Sequence, residues 1–322
     1  MSSFGFFAPI EKELNLVEKQ LSTNINSGLP LLDEASAHLI KAGGKRLRPA
    51  FALLAARVFQ EEVSEVIPLA VALELIHMAT LVHDDVIDNS DTRRGTATVK
   101  SAWGNRVSLY AGNYIFAQAM AIIASYCRSE VTDVIARASM QICEGEIVQM
   151  LSCYDVSLGL KNYLRRIERK TALLISVSCE LGAMICGASL TEIDALKNYG
   201  YYLGMGFQIT DDILDFVADE KTLGKPTGSD IRQGIITLPS LYALKYSRER
   251  QELSTLLSSP QACLERPERI IDIVLDSDGI DYAYAVTQHF AEKARRQLGL
   301  LPDVPIRNTF YELTDFILDR DY

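Results

Sequence analysis

The feature that most restricts the fold is the long stretch between Pro68 and Pro226, which contains no proline. Apolar residues recur through it at every third or fourth position, the spacing that puts them on one face of an α-helix. No alternating pattern typical of strands extends beyond a few residues. The sequence therefore predicts an all-α fold, as one domain over residues 1–322. The helices expected in this stretch cover about 69–88, 107–127, 130–152, 161–187 and 190–217.

The segments on either side of this stretch also have helical spacing. Residues 11–40 predict two amphipathic helices with a break at Asn26-Ser27-Gly28. A further helix is expected from Pro49 to Phe59, because proline is favoured in a first helical turn. Residues 231–322 predict four or so weaker helices separated by prolines.

Two short acidic runs interrupt the apolar pattern. Asp84-Asp85-Val86-Ile87-Asp88 and Asp211-Asp212-Ile213-Leu214-Asp215 each have two adjacent carboxylates and a third four residues after the first. In a helix, the first and last aspartates of such a run lie one turn apart on the same face. One run alone is weak evidence for a site, because helix ends are often acidic. A second copy, again flanked by apolar residues, is not typical of a solvated helix face.

Three carboxylates this close repel one another, and apolar surroundings add to the cost unless a cation neutralises them. Hard oxygen ligands suit Mg²⁺, which is usually held by one or two carboxylates together with substrate phosphates. The paired runs therefore predict two facing helices that hold magnesium ions and a diphosphate between them.

A glycine pair followed by three cations precedes the first acidic run. Gly43-Gly44 lets the backbone approach a ligand closely, and Lys45, Arg46 and Arg48 follow. Cations beside flexible backbone amides are typical of diphosphate binding. A solvated loop at a helix start explains the same residues equally well, so the motif alone does not decide.

Two arginines and a histidine lie close to the first acidic run. Arg93 and Arg94 follow it directly, and arginine grips phosphate oxygens bidentately better than lysine does. His77 lies about two turns before Asp84 on the same helix face, although a single histidine there is more often a core residue.

Polar groups also lie around the second acidic run. Lys170-Thr171 places a cation and a hydroxyl where a helix enters the core, which is unusual for a surface pair. Gln208 lies one turn before Asp212. Lys225 lies within Leu223–Asp230, an exposed glycine-containing loop that is a candidate lid.

Composition excludes some functions. A formal charge of −10 at pH 7 argues against a nucleic-acid binder, which needs a basic face. The six cysteines show no CxxC or metal-finger spacing and are expected to be reduced and buried, as small hydrophobic residues. We see no signal peptide and no uninterrupted apolar stretch of about 20 residues that could span a bilayer. These features predict a cytoplasmic protein.

Taken in order, these motifs resemble those of the trans-prenyltransferases, the head-to-tail polyprenyl diphosphate synthases. The likeness extends over residues 43–230 and shows no departure from the family pattern in any motif. The matching segments are 43–49, 81–88 with 93–95, 170–171, 206–215 and 224–226.

The resemblance implies an antiparallel helix bundle around a deep central cavity and a reaction that begins by ionising an allylic diphosphate. It implies Mg²⁺ ligands on both walls of the cavity, namely Asp84, Asp85, Asp88, Asp211, Asp212 and Asp215. It implies contacts to the allylic substrate from Arg93, Lys170, Gln208 and Lys225. It implies contacts to isopentenyl diphosphate from Lys45, Arg48, His77 and Arg94. Thr171 would offer its oxygen to the developing allylic cation.

Within the family, the sequence is most similar to the larger, catalytic component of two-component synthases that make heptaprenyl diphosphate for menaquinone. That likeness implies a heterodimer with a small component I subunit; a homodimer of the hexaprenyl, octaprenyl or solanesyl type is the alternative. In this family, the residues just before the first acidic run form the floor of the chain pocket. Here they are Ala79 and Thr80, neither of them bulky, which predicts a medium or long all-trans product. Such a lipid product implies peripheral membrane contact.

Two other functions would explain part of this pattern. A terpene cyclase also ionises allylic diphosphates with a first acidic run, but it lacks the Gly-Gly-Lys-Arg motif and has a different second metal motif. A catalytically inactive regulatory subunit typically loses carboxylates from one or both runs, whereas this chain keeps all six. Lys45, Arg48 and the intact second run therefore favour an active prenyl synthase.

Overall fold

The described residues of the computed structural model, 5–24, 27–93, 95–218 and 227–318, fold almost entirely into helices. After a 3₁₀ turn at Gly5–Ile10 come α1 (Glu11–Asn24), α2 (Pro30–Lys41), α3 (Leu47–Arg57), α4 (Ile67–Ile87), α5 (Val99–Ala124), α6 (Ser129–Leu151), α7 (Leu160–Ile167), α8 (Leu173–Ile185) and α9 (Leu190–Val217). The later helices cover Ser229–Arg232, Leu238–Tyr246, Arg250–Leu257, Pro260–Glu265, Pro267–Leu275, Gly279–Leu298 and Ile306–Leu318. The predicted all-α fold class is confirmed.

Besides the 3₁₀ turns at Gly5–Ile10 and Ser64–Val66, a β-hairpin and a π-helical turn depart from regular α-helix. A short antiparallel hairpin pairs β1 (Thr92–Arg93) with β2 (Thr96–Ala97). Between α7 and α8, the backbone of Glu168–Ala172 forms a π-helical turn, which is wider than an α-helical turn. Such turns often mark functional positions, and this one carries Lys170-Thr171.

Most predicted helices are confirmed, with two corrections. The structure starts α5 at Val99 rather than near 107, because the Thr98 hydroxyl accepts a hydrogen bond from the amide of Ser101 at 3.1 Å and caps the helix. Helical hydrogen bonding continues through a kink at Gly104, whose φ is 84°. Beyond residue 232 the described residues form six helices rather than the four or so expected, because the chain also breaks at 247–249 and 276–278, where the sequence contains no proline.

Residue packing divides the chain into two compact units. The first unit contains Met1–Ala136, Val177–Lys197 and Leu300–Thr309; the second contains Arg137–Ser176, Asn198–Gly299 and Phe310–Tyr322. The single domain over 1–322 stays a prediction.

In the first unit, α4 is the central helix and packs against α1, α3 and α5. Nearly all of its side chains up to Ala79 are buried. Tyr126, just after α5, fixes the start of α4: its hydroxyl donates to the carbonyl of Glu65 at 2.5 Å and accepts from the amide of Leu69 at 2.9 Å. The first acidic run therefore sits at the end of a well-anchored core helix.

In the second unit, one apolar cluster joins α7 to α9. Tyr163 and Ile167 of α7 pack with Ile209 and Ile213 of α9. A second cluster is formed by the helices between 250 and 275, with Phe216 of α9 at its edge. The second acidic run is thus held by a helix that is packed along its length.

Two helical segments are long and apolar enough to cross a membrane, contrary to the expectation that no stretch would be. They are Ser64–Ile87 and Val99–Ala124. In the first, 72% of the most apolar window is buried inside the protein, which is typical of a core helix; in the second, 33% is buried.

Candidate active site

The first acidic run forms the C-terminal end of α4. The amide of Asp88 donates to the carbonyl oxygen of Asp84 at 2.8 Å, so these residues lie one helical turn apart as predicted. Asp84 is half-buried and Asp88 is exposed, whereas Asp85 is buried. Asp84 and Asp88 are therefore the two carboxylates of this run that solvent can reach.

Asp85 is held by Arg93. The Arg93 Nε donates to Asp85 Oδ1 at 2.8 Å. Burial raises the pKa of Asp85, and the charge and hydrogen bond of Arg93 oppose that rise. The predicted arginine therefore contacts the acidic run directly, and it is itself about one-third exposed, so its remaining N–H groups can reach a ligand.

The hairpin that carries Arg93 is fixed between α4 and α5. The Thr98 hydroxyl donates to the carbonyl oxygen of Ser90 at 2.9 Å, and the amide of Thr98 donates to the carbonyl oxygen of Asp91 at 3.0 Å. Lys100 Nζ pairs with Asp91 at 3.0 Å. The other predicted arginine, Arg94, lies outside the described residues.

The glycine loop before α3 turns one of its three cations inward. Arg46 is buried with a left-handed backbone, φ 49°, and its guanidinium pairs with Glu18 of α1 and, at 2.9 Å, with Glu74 of α4. Burial lowers the pKa of Arg46, but its hydrogen bonds and the charges of both carboxylates raise it above the ordinary value. Arg46 is thus a fixed structural cation.

Lys45 and Arg48 flank this anchor and are half-buried. His77 is also half-buried, on α4. These three residues, predicted to bind isopentenyl diphosphate, belong to the same unit as Asp84.

The second acidic run lies within α9. Asp211 is half-buried, while Asp212 and Asp215 are buried. Asp212 accepts two hydrogen bonds: the Tyr163 hydroxyl donates to Oδ2 at 2.7 Å and the Gln208 Nε2 donates to Oδ1 at 2.8 Å. Burial raises the pKa of Asp212 to about 7, the charge of Asp230 adds to the rise, and both hydrogen bonds oppose it.

Asp215 binds the last residues of the candidate lid, Leu223–Asp230. Its Oδ2 accepts from the amide of Asp230 at 3.0 Å, and its carbonyl accepts from the amide of Gly228 at 2.9 Å. The third carboxylate of the run therefore anchors the start of helix Ser229–Arg232. Lys225 lies outside the described residues.

The π-helical turn positions the predicted Lys170-Thr171 pair. A Cβ at Gly204 would lie 2.5 Å from Ala172 Cα, so α9 approaches this turn closely only because residue 204 is glycine. One turn further along α9, Gln208 Oε1 accepts from the Thr171 hydroxyl at 2.5 Å. Lys170 Nζ donates to Gln149 Oε1 at 3.2 Å and remains exposed.

The structure thus brings together two sets of predicted residues, one in each unit. In the first unit, Arg93 contacts Asp85. In the second unit, Thr171, Gln208 and Asp212 form one hydrogen-bonded chain. Sequence reasoning missed Tyr163, for which no motif gave a signal. It also missed the inward turn of Arg46, which Glu74, the one acidic residue of α4 that precedes the first acidic run, could have indicated.

The donor chemistry of the acidic runs fits Mg²⁺, because every proposed ligand is a carboxylate. Within the described residues, no three histidine, cysteine, aspartate or glutamate side chains lie close enough to hold a metal ion by themselves. A cation bound there would need further oxygens, which a diphosphate can supply.

Carboxylate runs beside clustered cations, in an all-helical chain, define an enzyme that works on diphosphates. The family model described as Polyprenyl synthetase matches residues 29–274. The chain is 44% identical, over 318 residues and 99% of each chain, to heptaprenyl diphosphate synthase component 2 of Geobacillus stearothermophilus.

Solved structures agree with this match. The crystal structure of heptaprenyl diphosphate synthase from Staphylococcus aureus has a TM-score of 0.91 and 38% identity, covering 97% of this chain and 99% of that one. Polyprenyl synthase from Caulobacter crescentus CB15, complexed with calcium and isoprenyl diphosphate, has a TM-score of 0.89 and 33% identity, covering 97% and 96%. The chain belongs to the polyprenyl synthetase family. It is a prenyltransferase that builds a long polyprenyl diphosphate.

Proposed function

We propose that this chain is the catalytic subunit of a two-component heptaprenyl diphosphate synthase. It extends farnesyl diphosphate and longer allylic diphosphates with isopentenyl diphosphate, in the all-trans configuration. The observation that carries this proposal is the 44% identity, over nearly the whole of both chains, to a protein named component 2 of such a synthase.

The residues of the candidate site support a mechanism by ionisation. The C–O bond of the allylic diphosphate breaks, and its electron pair leaves with the diphosphate. Arg93 and Lys170 would stabilise the added negative charge, and Thr171 would direct its oxygen toward the allylic cation. Lys45 and Arg48 would hold isopentenyl diphosphate close to that cation.

The double bond of isopentenyl diphosphate then attacks the allylic cation, and its electron pair forms the new C–C bond. The resulting carbocation loses a proton to the departing diphosphate, which restores a double bond. No side-chain nucleophile is required. Mg²⁺, when bound, would neutralise charge on the diphosphate and stabilise it as a leaving group. Its proposed ligands are Asp84, Asp85, Asp88, Asp211, Asp212 and Asp215.

The partner is proposed to be a small subunit that covers α6. Met140, Ile147 and Leu151 recur at helical spacing along one side of this helix, and each is more than half exposed. Glu144 interrupts this apolar face, but three large apolar side chains exposed on one helix face still support docking of another subunit. Cys143 lies between these residues in sequence; contrary to the expectation of buried cysteines, it and Cys127 are exposed.

Thiol labelling tests this docking surface. We expect the small subunit to protect Cys143 from a maleimide and to leave Cys127, exposed just after α5, equally reactive as the matched control. Unchanged labelling of Cys143 in the active complex would reject α6 as the surface. Protection of Cys143 in the isolated chain, with a dimeric mass by sedimentation, would favour the homodimer.

The remaining proposals concern where the enzyme works. A heptaprenyl product is suited to menaquinone side-chain synthesis, and its length would bring the enzyme to the membrane surface. We propose a cytoplasmic enzyme with peripheral membrane contact. Because its charge of −10 does not favour binding to anionic headgroups, this contact would depend on the lipid product.

Product analysis tests the function itself. The purified chain is incubated with farnesyl diphosphate, labelled isopentenyl diphosphate and Mg²⁺, with and without the small subunit, and the dephosphorylated products are separated by chromatography. We expect heptaprenyl alcohol only when both subunits are present. A long prenyl alcohol from the chain alone would reject the two-component arrangement, and no elongation under either condition would contradict the proposed reaction.

A further inference from the structure

A chain of hydrogen bonds connects a buried tyrosine to the hydroxyl of Thr171. The Tyr163 hydroxyl donates to Asp212 Oδ2 at 2.7 Å, Gln208 Nε2 donates to Asp212 Oδ1 at 2.8 Å, and the Thr171 hydroxyl donates to Gln208 Oε1 at 2.5 Å. Gln208 and Asp212 lie one turn apart on α9, and Tyr163 and Thr171 lie at the two ends of the segment that faces them. The chain therefore ties α9 to that segment at two points.

The donors and acceptors in this chain fix its direction. Both carboxylate oxygens of Asp212 act as acceptors, Oδ2 from the Tyr163 hydroxyl and Oδ1 from Gln208 Nε2, so the amide NH₂ of Gln208 faces Asp212. The carbonyl oxygen of Gln208 must then face Thr171, whose hydroxyl donates to it. The lone pairs of the Thr171 oxygen are consequently directed away from Gln208.

Tyr163 is held independently of Thr171. Its ring is 3% exposed and packs in the apolar cluster with Ile167 and Ile209. The guanidinium carbon of Arg166 lies 5.4 Å from the ring centroid. Arg166 is itself held by a hydrogen bond that its Nη2 donates to the carbonyl oxygen of Ile236 at 2.7 Å. The tyrosine hydroxyl is thus a rigid donor that sets the orientation of the Asp212 carboxylate.

We propose that Tyr163 is a positioning residue for prenyl transfer, acting through Asp212 and Gln208 to aim the oxygen of Thr171. Tyr163 has no contact with substrate in this role. The proposal rests on the proposed function, because it assigns the Thr171 oxygen to the developing allylic cation. It also gives Asp212 a task in ordering side chains, separate from any contact with a metal ion.

The kinetic test compares two buried tyrosines. Tyr163→Phe removes the donor and keeps the ring; Tyr199→Phe is the matched control, because Tyr199 is equally buried and donates to the carbonyl of Phe310 at the same 2.7 Å. We expect Tyr163→Phe to lower kcat about tenfold, the effect of losing a hydrogen bond to a charged group. The KM values for both substrates should change less than twofold, and Tyr199→Phe should keep its kcat.

A double-mutant cycle separates positioning from simple loss of stability. If Tyr163 acts through Gln208, then Tyr163→Phe should lower kcat less than twofold in a Gln208→Leu background. An undiminished tenfold effect in that background would overturn the proposal, and so would an unchanged kcat in Tyr163→Phe itself.

Crystal structures of Tyr163→Phe and Tyr199→Phe provide a readout that does not depend on activity. We expect the contact between Gln208 and Thr171 to be broken in the first variant and kept in the second. Retention of that contact in Tyr163→Phe would overturn the proposal. If the wild-type enzyme transfers no prenyl group, the proposed function fails, and these two structures still decide whether Tyr163 positions Thr171.

Discussion

Arg46 is the cation of the glycine loop whose removal should cost stability. Its side chain is 6% exposed and that of its partner Glu74 is 4% exposed, with Arg46 Nη1 2.9 Å from Glu74 Oε1. Arg46→Met leaves the Glu74 carboxylate buried without a counter-ion, and breaking a buried pair in this way costs about 3–5 kcal/mol. Glu18 adds less, since about a quarter of its side chain reaches water. Urea denaturation of the purified variant measures the loss in unfolding free energy.

Two further variants make this prediction specific. Arg46→Met with Glu74→Gln should recover most of the lost stability, because no buried charge is left unpaired. Lys45→Met, in the same loop, should change the unfolding free energy by less than about 1 kcal/mol while raising the KM for isopentenyl diphosphate. A loss below about 1 kcal/mol in Arg46→Met, or a double variant as unstable as the single one, would refute the reasoning.

Three other outcomes are expected. Ala79→Phe should shorten the prenyl product in the chromatographic assay, and an unchanged chain length would reject Ala79 as part of the pocket floor. Gly182→Ala should lower the unfolding free energy by about 1–3 kcal/mol, because a Cβ there would collide with the carbonyl oxygen of Ala52. Gly159→Ala, which has open space around the new Cβ, is its control, and equal stability losses would contradict the packing argument. Glu192 caps α9 by accepting from the amide and hydroxyl of Ser189, and these bonds lower its pKa. The stabilisation by Glu192 should therefore be fully present above the ordinary pKa of glutamate and be lost as the pH falls through its lower pKa in the folded protein. If the unfolding free energies of wild type and Glu192→Ala differ by the same amount from pH 7 to pH 3, this prediction is wrong.

The helices that carry the acidic runs could be predicted from the sequence because their apolar spacing is long and regular. The structure has α9 at Leu190–Val217, as expected, and α4 ends at Ile87, one residue before the expected end. The spacing of Asp84 and Asp88 then follows from helix geometry alone. The resemblance added the roles of individual residues, which periodicity does not provide.

The side-chain network could not be predicted, because it depends on contacts between distant segments. Nothing local distinguishes Arg46 from its neighbouring cations; its partners Glu18 and Glu74 are each 28 residues away in sequence. The π-helical turn at Glu168–Ala172 likewise has no propensity signal and coincides with the close approach of Gly204 to Ala172. Tyr163 acquires its importance only because α7 packs on α9.

Both acidic runs are expected to be required for prenyl transfer, and rate measurements on single carboxylate variants test this most directly. Asp84→Asn and Asp211→Asn keep the shape of each side chain and remove its charge. Asp194→Asn, at an exposed aspartate near the start of α9, is the control. We predict that transfer from farnesyl diphosphate falls about 10²–10³-fold in both run variants, the effect of losing one preorganised electrostatic contact to the transition state, and stays near the wild-type rate in Asp194→Asn. Wild-type rates in either Asp84→Asn or Asp211→Asn would contradict the account.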